Sequence, residues 1–155
     1  MVRPTKKRRV SFLPGITYYK PAGVPLRFMQ ENQLSVEALE AVRLRDLEGL
    51  EQEEAARRMN VSRPTFQRIL AAARYQITDA LLNGKAIKIE GGNFIVKPNH
   101  FRCRFGHAWD VPLECLDSDL VKICPTCRTT EVEPVPPAGP HRIHGRKTTG
   151  ANGQE

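Results

Sequence analysis

Hydrophobic residues recur at helical spacing in two short stretches near the middle of the chain. The first stretch predicts a helix over residues 36–48, which Ser35 can cap through its hydroxyl. The inward-facing positions of this helix are Leu39, Val42 and Leu47. The second stretch predicts a helix over residues 51–59, with apolar positions at Ala55, Ala56 and Met59.

The longest periodic stretch begins after Ser62 and predicts a helix that ends near Leu82. The Ser62 hydroxyl can accept a bond from an N–H of the first turn, and Pro64 is tolerated because that turn has spare N–H groups. The spacing predicts one buried stripe, made of Phe66, Ile69, Leu70, Ala73, Ile77, Ala80 and Leu81.

The segments that flank the helices alternate or turn. Residues 87–90 alternate isoleucine with a charged residue and predict a strand, with which Phe94–Val96 pairs as a hairpin across a glycine turn. Residues 1–26 are rich in proline and glycine. They predict an extended arm with short strands at Arg9–Phe12 and Thr17–Tyr19.

These elements predict a mainly α fold in four parts. Residues 1–34 are a basic extended arm, residues 35–97 a helical domain with its short β-hairpin, and residues 98–130 a small module that contains all four cysteines. Residues 131–155 nearly lack large apolar side chains, so they cannot offset the entropy of ordering and are predicted to be disordered. No apolar run approaches the roughly 20 residues that cross a bilayer, and no signal-peptide core is present, so a cytoplasmic location is predicted.

Positive charge is concentrated at the start of the chain. The formal net charge is +7, and seven of the 24 Lys and Arg residues precede Glu31, the first acidic residue. Such an excess favours a polyanionic partner, most often nucleic acid. The run Lys6, Lys7, Arg8 and Arg9 is predicted to contact DNA phosphates, although such a run taken alone is more typical of a solvated tail.

The junction between the second and third predicted helices has the features of a helix-turn-helix. Asn60 can adopt the left-handed conformation of a tight corner, and Val61 can fill the space beneath it. In this motif the second helix enters the major groove. The predicted DNA-binding positions at its start are Ser62, Arg63, Thr65, Gln67 and Arg68. Either arginine could donate bidentate hydrogen bonds to guanine, and Gln67 could pair with adenine.

Residues Gln52–Leu70 resemble the helix-turn-helix of sigma-factor region 4. The chain is also similar to a family of small prokaryotic proteins known only as predicted DNA-binding proteins with that fold. The motifs that carry this similarity are RRV (8–10), YYKPAGVPL (18–26), EALEAVRLRDLEGL (37–50), QEEAARRM (52–59), VSRPTFQRIL (61–70) and NGKAIKIEGG (83–92). The resemblance covers about residues 3–92 and implies sequence-specific DNA binding and transcriptional regulation. It departs from the family at Glu51, where a serine is usual.

Two short ligand pairs in the last third of the chain predict a metal site. Cys103 and His107 form one pair, and Cys124 and Cys127 form the other. Zinc takes four such ligands in a tetrahedron, and structural zinc contributes roughly 10–16 kcal/mol to the folding of a small module. The pattern predicts a Cys3His zinc ribbon, with iron in the same tetrahedron as an open alternative.

Other interpretations of the cysteines and histidines are weaker. Cys115 lies outside both pairs and is interpreted as a buried apolar residue or a free thiol, and His100 is a weaker alternative to His107 as a ligand. A thiol redox pair would need an α/β setting that Cys124 lacks.

The sequence therefore predicts a sequence-specific DNA-binding protein that regulates transcription, with a recognition helix at about residues 63–82. The alternative is a protein-interaction module that docks on the transcription machinery through the sigma-like helices and the zinc ribbon. RNA binding is weaker, because the aromatic residues form no stacking platform. No enzymatic activity is predicted, since no nucleophile–base set is visible. A homodimer is predicted, formed through the arm or residues 85–96, because one short recognition helix gives little affinity.

Overall fold

The structure is a computed structural model that describes residues 4–135. Within this range the chain forms three α-helices and eight β-strands. The helices are α1 (Val36–Val42), α2 (Gln52–Met59) and α3 (Arg63–Asn83). The strands are β1 (Arg8–Val10), β2 (Tyr18–Tyr19), β3 (Glu31–Leu34), β4 (Ala86–Ile89), β5 (Phe94–Val96), β6 (His100–Cys103), β7 (Ala108–Asp110) and β8 (Val132–Pro134). None of these helices is both long and apolar enough to cross a membrane.

The strands form three sheets, so the prediction of a mainly α fold is wrong. The sheets have the orders β1-β5, β2-β4-β3 and β7-β6-β8. The predicted hairpin is also wrong. β4 pairs antiparallel with β2 and parallel with β3, whereas β5 pairs parallel with β1. Both strands of the expected hairpin pair with the N-terminal segment instead, and local periodicity cannot specify pairing between such distant positions.

The predicted N-terminal arm belongs to the folded body. β1 pairs with β5 from Arg8↔Phe94 to Val10↔Val96, and Val10 is fully buried. Before β1, the carbonyl of Thr5 accepts a hydrogen bond from the Asn93 side chain at 3.1 Å. Ladder hydrogen bonds and the burial of a branched apolar side chain hold this segment, where the proline and glycine pattern indicated only an extended chain.

Two buried clusters hold the helices to each other and to the sheets. The first joins all three helices through Leu44, Met59 and Phe66, each fully buried. The second packs α1 and α3 against the sheets and includes Val10 and Leu34. The clusters place α3 so that its buried stripe faces α1, α2 and β3, while its opposite face is exposed.

Two leucines that were expected in the core are exposed. Leu47 is 52% exposed because α1 continues as a π-helical turn, Arg43–Leu47, whose extra residue per turn rotates the following side chains. Leu81 is 76% exposed. β3 contacts α3 through Asn32, whose amide donates to the Gln76 carbonyl at 3.0 Å, and this places Ala80 rather than Leu81 against the sheet.

Two glutamates of α1 are buried, which the sequence pattern did not indicate. Glu37 is 8% exposed and Glu40 is 3% exposed, because β1 and the turn before β5 cover this side of α1. The Asn93 N–H donates to Glu37 at 3.2 Å, and the Ser11 N–H donates to Glu40 at 3.1 Å. Arg43 completes the Glu40 site with two side-chain hydrogen bonds of 2.8 Å. These donors satisfy the Glu40 carboxylate, which would otherwise be costly to bury, whereas the Oε2 atom of Glu37 is buried without a hydrogen-bond partner among the described residues.

Residues 98–135, the C-terminal region, form a small sheet around β6. Phe101 stacks on Trp109 with ring centroids 6.1 Å apart. β8 lies beyond residue 130, so the sheet extends past the boundary predicted for the disordered tail. The rest of that predicted tail, residues 136–155, lies outside the described residues.

A chain of ion pairs connects this region to residues 4–97, the N-terminal region. The pairs of this ion-pair chain are, in order, Glu40–Arg43 (2.8 Å), Arg43–Glu48, Glu48–Arg58 (3.3 Å), Arg58–Glu54 (3.3 Å), Glu54–Arg57 (3.0 Å) and Arg57–Glu114 (3.0 Å). It begins at a buried carboxylate on α1 and ends at an exposed one beside the C-terminal sheet. A separate pair, Lys97–Asp117, joins the two regions nearby.

Candidate functional site

Four potential metal ligands converge beside the C-terminal sheet: Cys103, His107, Cys124 and Cys127. Their ligand atoms all lie within 4.8 Å of one another. Cys103 Sγ is 3.8 Å from Cys127 Sγ and 3.4 Å from His107 Nδ1. A tetrahedral ion with zinc-like bond lengths holds two sulfurs about 3.8 Å apart and a sulfur and a nitrogen about 3.6 Å apart. This donor set therefore fits a four-coordinate metal ion.

Two tight turns aim these ligands at one point. In the first turn the Gly106 N–H donates to the Cys103 carbonyl at 2.9 Å, and the Cys103 N–H donates to the His107 carbonyl at 2.9 Å. Gly106 has φ +87°, a conformation that glycine adopts without steric cost. In the second turn the Arg128 N–H donates to the Cys124 carbonyl at 2.9 Å. Arg128 has φ 62°, which is uncommon for a residue with a side chain.

Hydrogen bonds favour the metal-binding form of one cysteine. Burial raises the pKa of Cys124, but the backbone N–H groups of Cys127 and Thr126, with bonds from the neighbouring thiols, lower it to about 6. At Cys127 the Thr129 N–H lowers the pKa, but burial and the sulfurs of Cys124 and Cys103 outweigh it and raise the pKa. One thiolate is therefore available near neutral pH, and the thiolate is the form that binds a metal.

The two weaker candidates lie outside this cluster. Cys115 is partly buried in a 3₁₀ turn at Leu113–Cys115. His100 Nδ1 lies 2.7 Å from an Asp110 carboxylate oxygen across the β6–β7 pair. Neither belongs to the group of ligand atoms around Cys124.

The residues predicted to contact DNA from α3 lie on its first turns. Ser62 caps the helix, because its hydroxyl accepts a bond from the Thr65 N–H at 3.4 Å and donates to the Thr65 hydroxyl at 2.9 Å. Thr65 is half-buried by this contact. The exposed members of the set are Ser62, Arg63, Gln67 and Arg68. The structure therefore places four of the five predicted residues on the solvent side of one helix end.

The N-terminal segment reaches the corner between α2 and α3. Asn60 adopts the left-handed conformation, with φ 58°, and turns the chain between the two helices. Its side-chain oxygen accepts a hydrogen bond from Lys6 Nζ at 3.0 Å. An open groove of about 730 Å³ lies at this point, and its lining includes Lys6, Arg8, Ser62 and Arg63. The basic N-terminus and the start of α3 therefore share one surface.

The four residues of the basic run have different surroundings. Lys6 and Lys7 are exposed. The Arg8 side chain is only 22% exposed and lies 3.9 Å from Glu37. The Nε of Arg9 is buried and has no hydrogen-bond partner among the described residues. Lys6 and Lys7 are therefore open to a ligand, whereas Arg8 and Arg9 are partly buried by the fold.

Two residues at the start of α2 contact this face and were missed from the sequence. Gln52 accepts a hydrogen bond from the Gln67 amide at 2.8 Å, and Glu53 lies 3.7 Å from Arg63. The bond that Gln67 donates to Gln52 fixes the direction in which the Gln67 amide points. The sequence does show an amide, Gln52, at the first position of α2. Its contact with Gln67 can be inferred only once α2 and α3 are known to be adjacent.

Comparison with known proteins gives the chain a family. A family profile described as "Protein of unknown function DUF134" matches residues 1–97, which is more than half of the chain. The chain belongs to this family. No solved structure shows a significant match to the chain. The DUF134 profile ends before the metal-ligand cluster, which begins at Cys103.

Relatives named UPF0251 protein extend the similarity. The protein of Halothermothrix orenii is 50% identical over 128 residues, covering 82% of this chain and 95% of the relative. That of Moorella thermoacetica is 51% identical over 148 residues, covering 94% of this chain and 96% of the relative. UPF0251 protein DET0218 of Dehalococcoides mccartyi is 65% identical over 94 residues, covering 61% of this chain and 80% of the relative. The Moorella match is long enough to include the C-terminal region of this DUF134 member.

Proposed function

We propose that the protein binds double-stranded DNA with sequence preference and regulates transcription, with α2 and α3 as a helix-turn-helix. The observation that carries this proposal is the exposed polar face on the first two turns of α3, beside a left-handed corner at Asn60. A helix that presents such a face at its N-terminus can enter the major groove while the preceding helix crosses the backbone.

The side chains on this face have base-reading chemistry. Arg68 is exposed, and Arg63 lies 3.7 Å from Glu53, which is longer than a hydrogen bond. Exposed pairs of this kind contribute little, so Arg63 can exchange its partner for a guanine edge at small cost. Gln67 is held by Gln52 and presents its amide in a fixed direction, which suits a bidentate contact with adenine.

The same surface offers contacts for the phosphates. Lys6 is exposed and lies at the corner between the two helices, and Lys7 follows it. Lysines in this position would neutralise backbone phosphates that flank the groove, which strengthens binding without reading sequence. The Asn60 bond holds Lys6 near this position before DNA arrives.

The metal cluster is proposed to hold Zn²⁺ in a structural role. Three thiolates and one imidazole in a tetrahedron are the ligands that structural zinc takes, and zinc with four protein ligands has no position for a substrate water. When bound, the ion would tie the Cys103 turn to the Cys124 turn. Elemental analysis of the purified protein tests this assignment, and one zinc per chain is expected. One iron per chain would contradict it.

Selection from random duplex DNA tests the function directly. We expect enrichment of one short sequence motif. Fluorescence anisotropy with the enriched duplex and a scrambled duplex, at two stated salt concentrations, then gives affinity and preference separately. The absence of any enriched motif would overturn sequence-specific binding.

Variants locate the binding surface. Arg68→Ala is expected to reduce the preference for the enriched duplex by about 1–3 kcal/mol, which is roughly 5- to 150-fold. Lys6→Ala should weaken binding to both duplexes equally and reduce the salt slope by about one. Lys122→Ala removes the same charge from an exposed site in the C-terminal region and should leave both the affinity for the two duplexes and the salt slope unchanged. An unchanged preference in Arg68→Ala would contradict the proposed role of α3.

A further inference from the structure

The exposed face of α3 changes its chemistry along the helix. Positions at helical spacing remain exposed from one end to the other: Arg63, Gln67, Ala71, Arg74, Thr78, Leu81 and Leu82. The first turns are polar, but Leu81 is 76% exposed and Leu82 is 79% exposed. Leu82 lies 19 residues after Arg63, which is about 28 Å along the axis. The major groove is about 12 Å wide, so DNA that covers Arg63 does not reach Leu82.

Other exposed apolar side chains surround the end of α3. Tyr19 is 54% exposed and lines a groove of about 310 Å³ together with Leu81. The turn at Leu26–Phe28 is brought to the same end of the molecule, because the Ala86 N–H donates to the Gln30 carbonyl at 2.9 Å. The five residues Tyr19, Leu26, Phe28, Leu81 and Leu82 are each more than half exposed, and together they define the apolar end.

We propose that the apolar end binds the same surface of a second copy of this chain and forms a two-fold symmetric dimer. The five side chains expose on the order of 600 Å² per copy, so two copies would bury about 1,200 Å², the lower limit of a standard interface. A patch of this size lies at the upper end of the largest apolar patch on a typical monomer, and such patches are often functional. A two-fold contact uses one patch twice and requires no second complementary surface.

The charges nearby do not call for a different partner. Lys85 is paired with Asp79 at 2.7 Å, and Lys20 donates to the Val24 carbonyl at 2.9 Å within its own loop. Neither lysine therefore needs an acidic partner, and the exposed Arg27 between Leu26 and Phe28 lies over the Phe28 ring, 4.7 Å from its centroid. The C-terminal residues 136–155 do not have the composition to cover the apolar end, because Ile143 is their one large apolar residue. A second copy of the chain presents an apolar surface of equal area, which can cover the apolar end.

The dimer has a geometric consequence that rests on the proposed function. A two-fold axis near Leu82, with each α3 inclined at about 40° to it, would place the two polar ends, each about 28 Å along its helix from Leu82, about 36 Å apart. Two such ends can reach major grooves one turn apart, about 34–36 Å. The enriched DNA site should then be an inverted repeat.

Sedimentation velocity of the full chain at micromolar concentrations, without DNA, tests the dimer by itself. The native chain is expected to sediment with the mass of two chains. Leu82→Glu should sediment as one chain, with a dissociation constant raised at least tenfold, since it places two like charges in an apolar contact. The matched control Leu47→Glu also replaces an exposed leucine, on the π-helical turn, and should remain dimeric.

Circular dichroism confirms that each variant is folded, which is expected because both leucines are exposed. A native chain that sediments as one chain, or a Leu82→Glu chain that dimerises as well as the native one, would overturn the proposal. Selection from random DNA distinguishes a failure of the proposed dimer from a failure of the proposed DNA binding. A dimer that enriches no motif contradicts only the function, whereas a monomer that enriches a single half-site contradicts only the dimer.

Discussion

The N-terminal and C-terminal regions of this chain remain folded for different reasons. Of the 19 buried apolar residues between Pro4 and Val135, 15 lie in the N-terminal region, so that region has a core in the ordinary sense. The four in the C-terminal region include two of the metal ligands, Cys103 and Cys124. A segment with so little apolar burial needs another source of stability, and the metal ion that we propose for the four converging side chains would supply one.

This difference means that the two regions should fail under different treatments. Apolar burial is sensitive to side-chain volume and to denaturant, whereas a metal site is sensitive to chelators and to ligand loss. The chain provides separate reporters for the two regions. Its one tryptophan, Trp109, lies in the C-terminal sheet, and all three α-helices lie in the N-terminal region.

The largest effect is expected from the loss of a metal ligand. Cys124→Ser should abolish metal binding and unfold the C-terminal region, because a structural ion contributes roughly 10–16 kcal/mol to a module of this kind. Trp109 fluorescence should shift towards that of an exposed indole, while the helical circular dichroism persists. Cys115→Ser is the matched control, since Cys115 lies outside the cluster. Metal bound at native stoichiometry by Cys124→Ser would contradict the assignment of the ligands.

The second-largest effect is expected from a substitution in the core of the N-terminal region. Phe66→Ala removes a fully buried ring between α2 and α3 and should lower the free energy of unfolding by about 3–5 kcal/mol. The measurement is urea unfolding followed by circular dichroism, with metal content measured in parallel. Tyr75→Ala on the same helix is the control, because Tyr75 is 68% exposed. If Phe66→Ala releases the metal while the protein remains folded, the stability of the C-terminal region depends on the core of the N-terminal region, which would contradict the expectation that the two regions fail separately.

Acid should weaken the N-terminal region through Asp79. Hydrogen bonds from Asn32, Lys85 and Asn83 lower the pKa of Asp79 from its ordinary 3.8 to about 2. A lowered folded-state pKa means that ionised Asp79 stabilises the fold above about pH 4, and that this contribution is lost as the pH falls towards 2.

Urea unfolding of the native chain and of Asp79→Asn, compared over this pH range, measures that contribution. The stability difference between the two proteins should shrink as the pH falls. Asp119→Asn changes an exposed carboxyl in the C-terminal region and serves as the control. A stability difference that stays constant down to pH 2 would show that the hydrogen bonds to Asp79 do not stabilise its ionised form over its protonated form.

The smallest effect is expected where the two regions meet. Glu114→Gln removes the last member of the ion-pair chain, an exposed pair with Arg57, and should cost less than about 1 kcal/mol in either region. A double-mutant cycle with Arg57→Met measures the coupling between the two side chains. A coupling of several kcal/mol would mean that the ion-pair chain transmits strain between the regions and that they fold together.

The helices were predictable from the sequence because the residues that start, end and pattern a helix lie within or next to it. Ser62, Pro64 and the Asn60 corner are contained within a few residues, and α3 runs over Arg63–Asn83 where a helix to about Leu82 was predicted. The π-helical turn at Arg43–Leu47 was not predictable, because it depends on how α1 packs and has no fixed residue signature.

The sheets were poorly predicted because their partners are distant in sequence. Proline and glycine placement predicts short strands at Arg9–Phe12 and Thr17–Tyr19, but nothing local indicates that Arg8 pairs with Phe94 or that Tyr18 pairs with Lys88. The burial of Glu40 follows from the same cause, since β1 covers α1 only after it has paired with β5. The spacing predicted which four side chains converge as potential metal ligands, whereas the Gln52–Gln67 contact required knowledge of how α2 meets α3.

The parallel pairing of β1 with β5 has a consequence for how the chain is made. Arg8 leaves the ribosome long before Phe94, so the first strand has no partner until the whole N-terminal region has been synthesised. During that interval Val10 is uncovered and Glu40 lacks the amide of Ser11. Completion of the fold therefore waits for a late step in translation, and a nascent chain that stalls before residue 94 would leave its first strand open to cellular chaperones and proteases.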